Sequence, residues 1–250
     1  MLPLIPLDFV LTKSRPEFCL QSNATQPDFL VDITSAKIVL KRVKVLSTYK
    51  LKIEAKLANS DAVYPLRCFD CRPFSLDAGI QSFTFSNIFA QNSTIPDYAV
   101  VGLVRATTHS GTYGTSPYTF EPFGLEEISI SFDQHRYSYE TNYNAAGGAS
   151  VDYATSYNGL FTIGGSKSNT GLSITKANFQ RGFCLYTFAF GRDEVLNCGQ
   201  WNSKIPASAR LSFKFSATAA NPPLIAFLYS EQNQILKVTG KREVVRLYNI

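Results

Sequence analysis

The feature that most constrains the fold is a strict period of two over 209–217. Ala209, Leu211, Phe213, Phe215 and Ala217 alternate with Arg210, Ser212, Lys214 and Ser216. Successive side chains of a strand point to opposite faces of its sheet, so this order gathers every apolar group on one face. Ile128, Ile130 and Phe132 repeat the pattern against Glu127, Ser129 and Ser131. A sheet with one apolar face must bury it against another layer.

Three further runs, 98–104, 183–190 and 224–229, are almost continuously apolar. Their length and flanking turn residues predict strands buried on both faces. Shorter candidates are 8–13, 29–33, 37–45, 67–75, 234–239 and 243–248. Together these make about ten strands, separated by turn chemistry such as Pro96-Asp97 and Asn221-Pro222-Pro223. The 19 Phe and 13 Tyr, against one Trp and one Met, suit strands. Helix signals are few. The stretch 47–58 carries Lys50, Leu51, Lys52, Glu54, Ala55, Lys56 and Leu57, all strong helix formers. Tyr49, Leu51, Ile53, Ala55 and Leu57 also alternate, so a strand competes there with a helix. A short helix or turn is expected near 156–161. The segments 107–122, 134–153 and 164–178 read as long loops.

No internal repeat and no shift in composition divides the chain. The expectation is all-β: one domain over 1–250, a β-sandwich of jelly-roll or related Greek-key type, with long loops and one or two short helices.

Charge and motifs argue against several functions. The net charge of +5 is spread along the chain, which predicts no specific nucleic-acid partner. The densest basic region, Lys41, Arg42, Lys44, Lys50, Lys52 and Lys56, lacks interleaved aromatics and reads as a solvated face. Lys241, Arg242 and Arg246 form a weaker basic spot. His109 and His135 stand alone, and neither a G-x-S-x-G elbow nor an H-E-x-x-H motif is present. Cys68 and Cys71 form a lone C-x-x-C in a strand-like run, which sends the two thiols to opposite faces. Glu126 and Glu127 diverge for the same reason. Gly147-Gly148 and Gly164-Gly165 lack a phosphate-loop frame and read as turn glycines. These absences predict no enzyme, cofactor or metal. The five cysteines are an odd number and read as reduced thiols of an intracellular protein. The segment Met1–Asp8 lacks a basic region and fits a signal peptide poorly, which weighs against use of the sequons at Asn23 and Asn92. No apolar run reaches the roughly 18 residues of a membrane span.

Several phrases, taken in order, carry a family likeness. They are Lys13-Ser-Arg-Pro-Glu-Phe-Cys-Leu20, the segment 36–45, Tyr64-Pro-Leu66 and Asn87-Ile-Phe-Ala-Gln91. Then follow Val100-Val-Gly-Leu-Val104, Phe120-Glu-Pro-Phe-Gly-Leu125 and Gly182-Phe-Cys-Leu-Tyr-Thr-Phe-Ala-Phe190, with the strand series 211–247 last. From about Asp8 onward the chain resembles the C-terminal part of the double-jelly-roll (hexon-like) major capsid proteins of Maverick/Polinton-type elements and adintoviruses. It departs from the family's Asn-Gly-x-x-x-x-Asn-Pro-Phe-x-Phe phrase, having Ser110-Gly-Thr-Tyr-Gly-Thr-Ser-Pro-Tyr-Thr-Phe120 instead.

The resemblance implies a structural capsid protein of the virion, assembled inside the host cell. Its partners are other capsid subunits, in a homo-oligomer such as a trimer. The resemblance also implies that 1–14 is a strand remnant of an upstream domain; a fragment, a split half and a single-jelly-roll relative all remain open. Tyr113, Tyr118, Tyr137, Tyr139 and Tyr143 are the candidate interface residues, because tyrosine brings contact area at low entropic cost. Packing onto their own sandwich is the competing account of the same residues. A lectin-like or receptor-binding β-sandwich is the alternative function.

Overall fold

The computed structural model describes residues 8–24, 28–41, 43–89, 95–132, 135–140, 153–161, 172–190, 209–216 and 222–247. Among these, nine strands form two antiparallel sheets. They are β1 (Ala62–Leu76), β2 (Ser82–Ser86), β3 (Tyr98–Arg105), β4 (Leu125–Phe132), β5 (His135–Glu140), β6 (Leu185–Ala189), β7 (Ala209–Phe215), β8 (Leu224–Val238) and β9 (Val244–Leu247). The helices are α1 (Pro16–Cys19), α2 (Ser47–Asn59), α3 (Ala106–His109), α4 (Ala154–Leu160) and α5 (Lys176–Gln180).

The pairing follows one rule. β1 pairs with β8, β2 with β7, β3 with β6 and β4 with β5. This is the pattern of one long hairpin whose two arms have been rolled up together. Rolling also sets β8 beside β3 and β7 beside β4. The larger sheet then runs β1-β8-β3-β6, with β9 on the far part of β8, and the smaller runs β2-β7-β4-β5. An eight-stranded sandwich wound in this order is a jelly roll, and β9 is an addition to it.

The core lies between the sheets. On β7, Ala209, Leu211, Phe213 and Phe215 point inward and are buried, while Arg210 and Lys214 are exposed. On β4, Leu125 and Ile128 both face the core although they are three residues apart. A register shift between Leu125 and Glu127 inserts the extra residue that makes this possible. On β3, Ala99, Val101 and Leu103 fill the core and Val104 is fully buried as well. Continuous apolar sequence here does mean burial on both faces. Aromatic rings complete the interior: Phe132 meets Phe190 edge-on at 4.9 Å, and Phe83 meets Phe215 at 6.3 Å.

Several sequence expectations are corrected. The segments 234–239 and 224–229 belong to one continuous strand, β8. Its polar middle, Ser230, Glu231 and Gln232, hides the continuity, yet these side chains are buried. The Glu231 carboxylate is supplied with partners: it accepts a hydrogen bond from the Tyr98 hydroxyl and lies 3.4 Å from Arg67. Strand β5 occupies part of the segment read as a loop, so Tyr137 and Tyr139 lie on a strand. No strand forms at 8–13, 29–33 or 37–45. These stretches have strand composition but no ladder partner among the described residues, and an isolated strand leaves its backbone groups to water. The stretch 47–58 resolves as helix α2 for the same reason: with no sheet edge beside it, helix propensity decides. Arg242, at the β8–β9 turn, holds Glu54 of α2 through contacts of 2.5 and 2.6 Å.

The strand β1 lies at the border of its sheet, with β8 on one side only. Pro65 and Pro73 sit within it, which only a border strand accommodates easily because proline has no N–H to give a second neighbour.

The inward register of β7 has a direct test. Phe213→Asp removes a buried ring worth about 1.5–3 kcal/mol and adds an unpaired carboxylate costing several kcal/mol more, out of a total of about 5–15 kcal/mol. This variant is expected to lose cooperative unfolding in a circular-dichroism melt. Lys214→Asp, on the solvent face, is expected to keep it.

Candidate functional site

The residues with chemical potential do not converge. Among the described residues no group of three His, Cys, Asp or Glu side chains is placed to hold a metal ion. The two thiols of the C-x-x-C motif sit on β1, where Cys68 lies opposite Gln232 and Cys71 opposite Tyr229. An odd spacing on a strand puts them on opposite faces. Partial burial, and then the charge of Asp70, push the Cys71 thiol up, away from the reactive thiolate. Burial pushes Cys184 up to about 12, against a weaker opposing hydrogen bond to Tyr186. Cys19, Cys71 and Cys184 are free thiols, and Cys198 lies outside the described residues.

Histidine and carboxylate placement follows the same dispersal. His109 ends α3 and packs edge-on against Phe227 at 5.1 Å, whereas His135 opens β5 in the other sheet. Glu126 reaches Lys214 at 3.2 Å, while Glu127 accepts from Arg136. The two carboxylates thus serve separate ion pairs on the sheet surface. Lys41, Lys44, Lys50, Lys52 and Lys56 are exposed, and both glycine pairs lie outside the described residues. No helix among the described residues is long and apolar enough to cross a membrane.

Two surfaces remain. The first is an arm, residues 8–46, whose described residues form no strand and only the short helix α1. It packs aromatic rings where it crosses the 107–122 segment. There Phe18 meets Tyr118 and Phe29 meets Tyr113, each with centroids 5.7 Å apart, and the Ser22 amide donates to the Tyr113 carbonyl. Beyond those contacts its apolar side chains face solvent. Leu30 is 81% exposed, Val39 94% and Val43 78%.

The second is the outer face of the larger sheet, covered by the 107–122 segment. The Phe120 amide donates to Gly182 and its carbonyl accepts from Cys184, while the Glu121 amide donates to Leu103. Phe120 can lie flat on β3 because residue 102 is glycine. A Cβ there would stand 2.5 Å from the Phe120 ring and 2.9 Å from Leu185. A cavity remains between the sheet and this cover, lined by Val100, Phe227 and Tyr229 below and Phe18 and Tyr118 above. Sequence reasoning assigned these residues to separate strands and loops. They converge only when β3, β6 and β8 are set side by side, and no local spacing records that.

The candidate tyrosines divide by environment. Tyr118 is 63% exposed at the rim of the cavity, and Tyr113 is half-buried under the arm. Tyr137 packs against Phe132 and Phe190 and is 37% exposed. Tyr139 lies on Phe188 at 5.2 Å and donates its hydroxyl to the Thr187 carbonyl, and burial pushes that hydroxyl's pKa up. Gly159 in α4 makes room for it, since a Cβ there would stand 2.5 Å from the Tyr139 oxygen. Tyr143 lies outside the described residues.

No protein-family model matches the chain. Over 121 residues, 48% of its length, the chain is 24% identical to the uncharacterized protein F54H12.2 of Caenorhabditis elegans, and it spans 28% of that protein. Among solved structures it is similar to a chain of the Sputnik virophage at 12% identity and a TM-score of 0.41, covering 74% of this chain and 38% of that one. PBCV-1 VP54, fitted into a reconstruction of Sputnik, overlaps 82% of this chain and 55% of its own at 11% identity and a TM-score of 0.41. The mavirus major capsid protein overlaps 74% and 41% at 9% identity and 0.33. The order and pairing of the strands define the fold by themselves: this is a jelly roll.

Two outcomes check this geometry. Gly102→Ala is expected to lower stability by about 1–3 kcal/mol through overpacking, read as a lower urea midpoint. Cys184→Ala is expected to leave the thiol count of the native protein with Ellman's reagent unchanged and to reduce the count after unfolding by one. A smaller native count would place Cys184 at the surface.

Proposed function

We propose that this chain is a structural capsid subunit that works by assembling with further copies of itself, without a catalytic step. The observation that carries the proposal is the apolar arm at 8–46, attached to a jelly roll and left uncovered by it. Val39, Val43 and Leu30 cost free energy in water and gain it on burial, at about 25 cal/mol per Å² of apolar surface removed. A protein whose task is association gains specificity by keeping such a surface free until a partner arrives. The jelly roll supplies the rigid body to which the arm is tied.

The phrases that resemble double-jelly-roll capsid proteins of Polinton-type elements and adintoviruses support the same reading. In this proposal the assembly is a closed homo-oligomer such as a trimer, destined for a virion built inside the host cell. Tyr118 and Tyr137, partly exposed, are available for subunit contacts, whereas Tyr139 holds β5 against β6.

Light scattering behind a sizing column, over a concentration series, tests this. A defined trimer or larger closed assembly is expected. The double variant Val39→Ser, Val43→Ser is expected to shift it toward monomer with an unchanged circular-dichroism spectrum. A monomer at every concentration would overturn self-assembly.

A further inference from the structure

The cavity on the outer face of the larger sheet is a built feature. Its floor comes from three adjacent strands: Leu185 of β6 and Phe227 of β8 flank Gly102 of β3, and Val100 of β3 lies beside Tyr229 of β8. Its cover comes from two other parts of the chain, Phe18 of α1 and Tyr118 and Phe120 of the 107–122 segment. Gly102 keeps that cover at its height, because any side chain there would push Phe120 away from the sheet. The cavity, open on one side, has a volume of about 300 Å³.

Its chemistry is one-sided. No Asp, Glu, Lys or Arg lines it, and the imidazole of His109 presents its edge to Phe227. An apolar cavity of roughly 150 Å³ stays dry and accepts benzene, whereas a stable water needs two to four polar partners. A charged molecule would be stripped of solvent here with nothing to replace it, and a peptide would bring amide groups without partners. The volume lies at the lower end of the range for small-molecule sites.

We propose that this cavity binds a small uncharged hydrocarbon-like molecule, about twice the volume of benzene. Val100, Leu185 and Phe227 form the bed on which it lies. Phe120 closes one side, and Tyr118, exposed at the rim, leaves the way in. The site belongs to the isolated chain, so its test is separate from that of assembly.

The probe is N-phenyl-1-naphthylamine, uncharged and fluorescent in apolar surroundings, titrated into the full chain. Saturable binding of one probe per chain is expected. Val100→Phe fills the bed and is expected to weaken binding about ten-fold or more, with the melting temperature unchanged or raised. Cys71→Leu adds bulk at the margin from a different strand and is expected to weaken binding as well, so one variant that fails to fold leaves the other. The double variant Val39→Ser, Val43→Ser is expected to bind the probe like the parent. The proposal is overturned if the parent shows no saturable binding, if folded filled variants bind as tightly as the parent, or if the arm variant alone abolishes binding.

Discussion

Strand β8 is the member on which the larger sheet depends. It pairs with β1 along all 15 of its residues, with β3 over Leu224–Glu231 and with β9 over Ile235–Val238. It thereby joins segments far apart in the chain, such as Ala62 and Val238. Its inner face changes along its length: Leu224, Ala226 and Leu228 fill the sandwich, and Ser230, Gln232 and Gln234 carry the strand on past Leu228, still buried. The outer face carries Glu231, whose charge is tolerated because Tyr98 and Arg67 reach it. With β8 placed, the rolled hairpin has little freedom left, since each remaining pair is the next one inward.

What the sequence revealed was set by one-sided burial. β7 and β4 were legible because one face of each is core and the other solvent, so the period of two is written in the residue types. β3 and β6 were legible from unbroken apolar runs. β2 and β5 were missed: Phe83 and Phe85 are set among Ser82, Thr84 and Ser86, and β5 displays only tyrosines at 137 and 139, which also suit a loop. The reverse error arose in the arm. The stretch 37–45 has all the composition of a strand, but a strand exists only with a ladder to join, and composition carries no record of neighbours.

The two candidate surfaces differ in the same way. The arm's apolar residues could be named from the sequence, though not their exposure, which depends on what the sandwich fails to cover. The cavity could not be named at all. Phe18, Val100, Leu185 and Phe227 meet through the stacking order of the strands, and Gly102 contributes by having no side chain. The tyrosines show how little residue type decides: Tyr118 lies open at a rim, whereas Tyr139 is a half-buried strut with its hydroxyl on Thr187.

The placement of α2 has a mechanical consequence. The arm leads into α2 and then directly into the start of β1, where Ala62 lies opposite Val238 at the far end of β8. A pull on the arm against β9 therefore loads neighbouring ends of two paired strands. That geometry opens a ladder one hydrogen-bonded pair at a time and never shears many together. Before the first pair yields, the load passes the Glu54–Arg242 contact, which fastens α2 to the β8–β9 turn. This ion pair, with Gly240 of the turn packed against the Leu57 carbonyl, acts as a latch in series with a zipper.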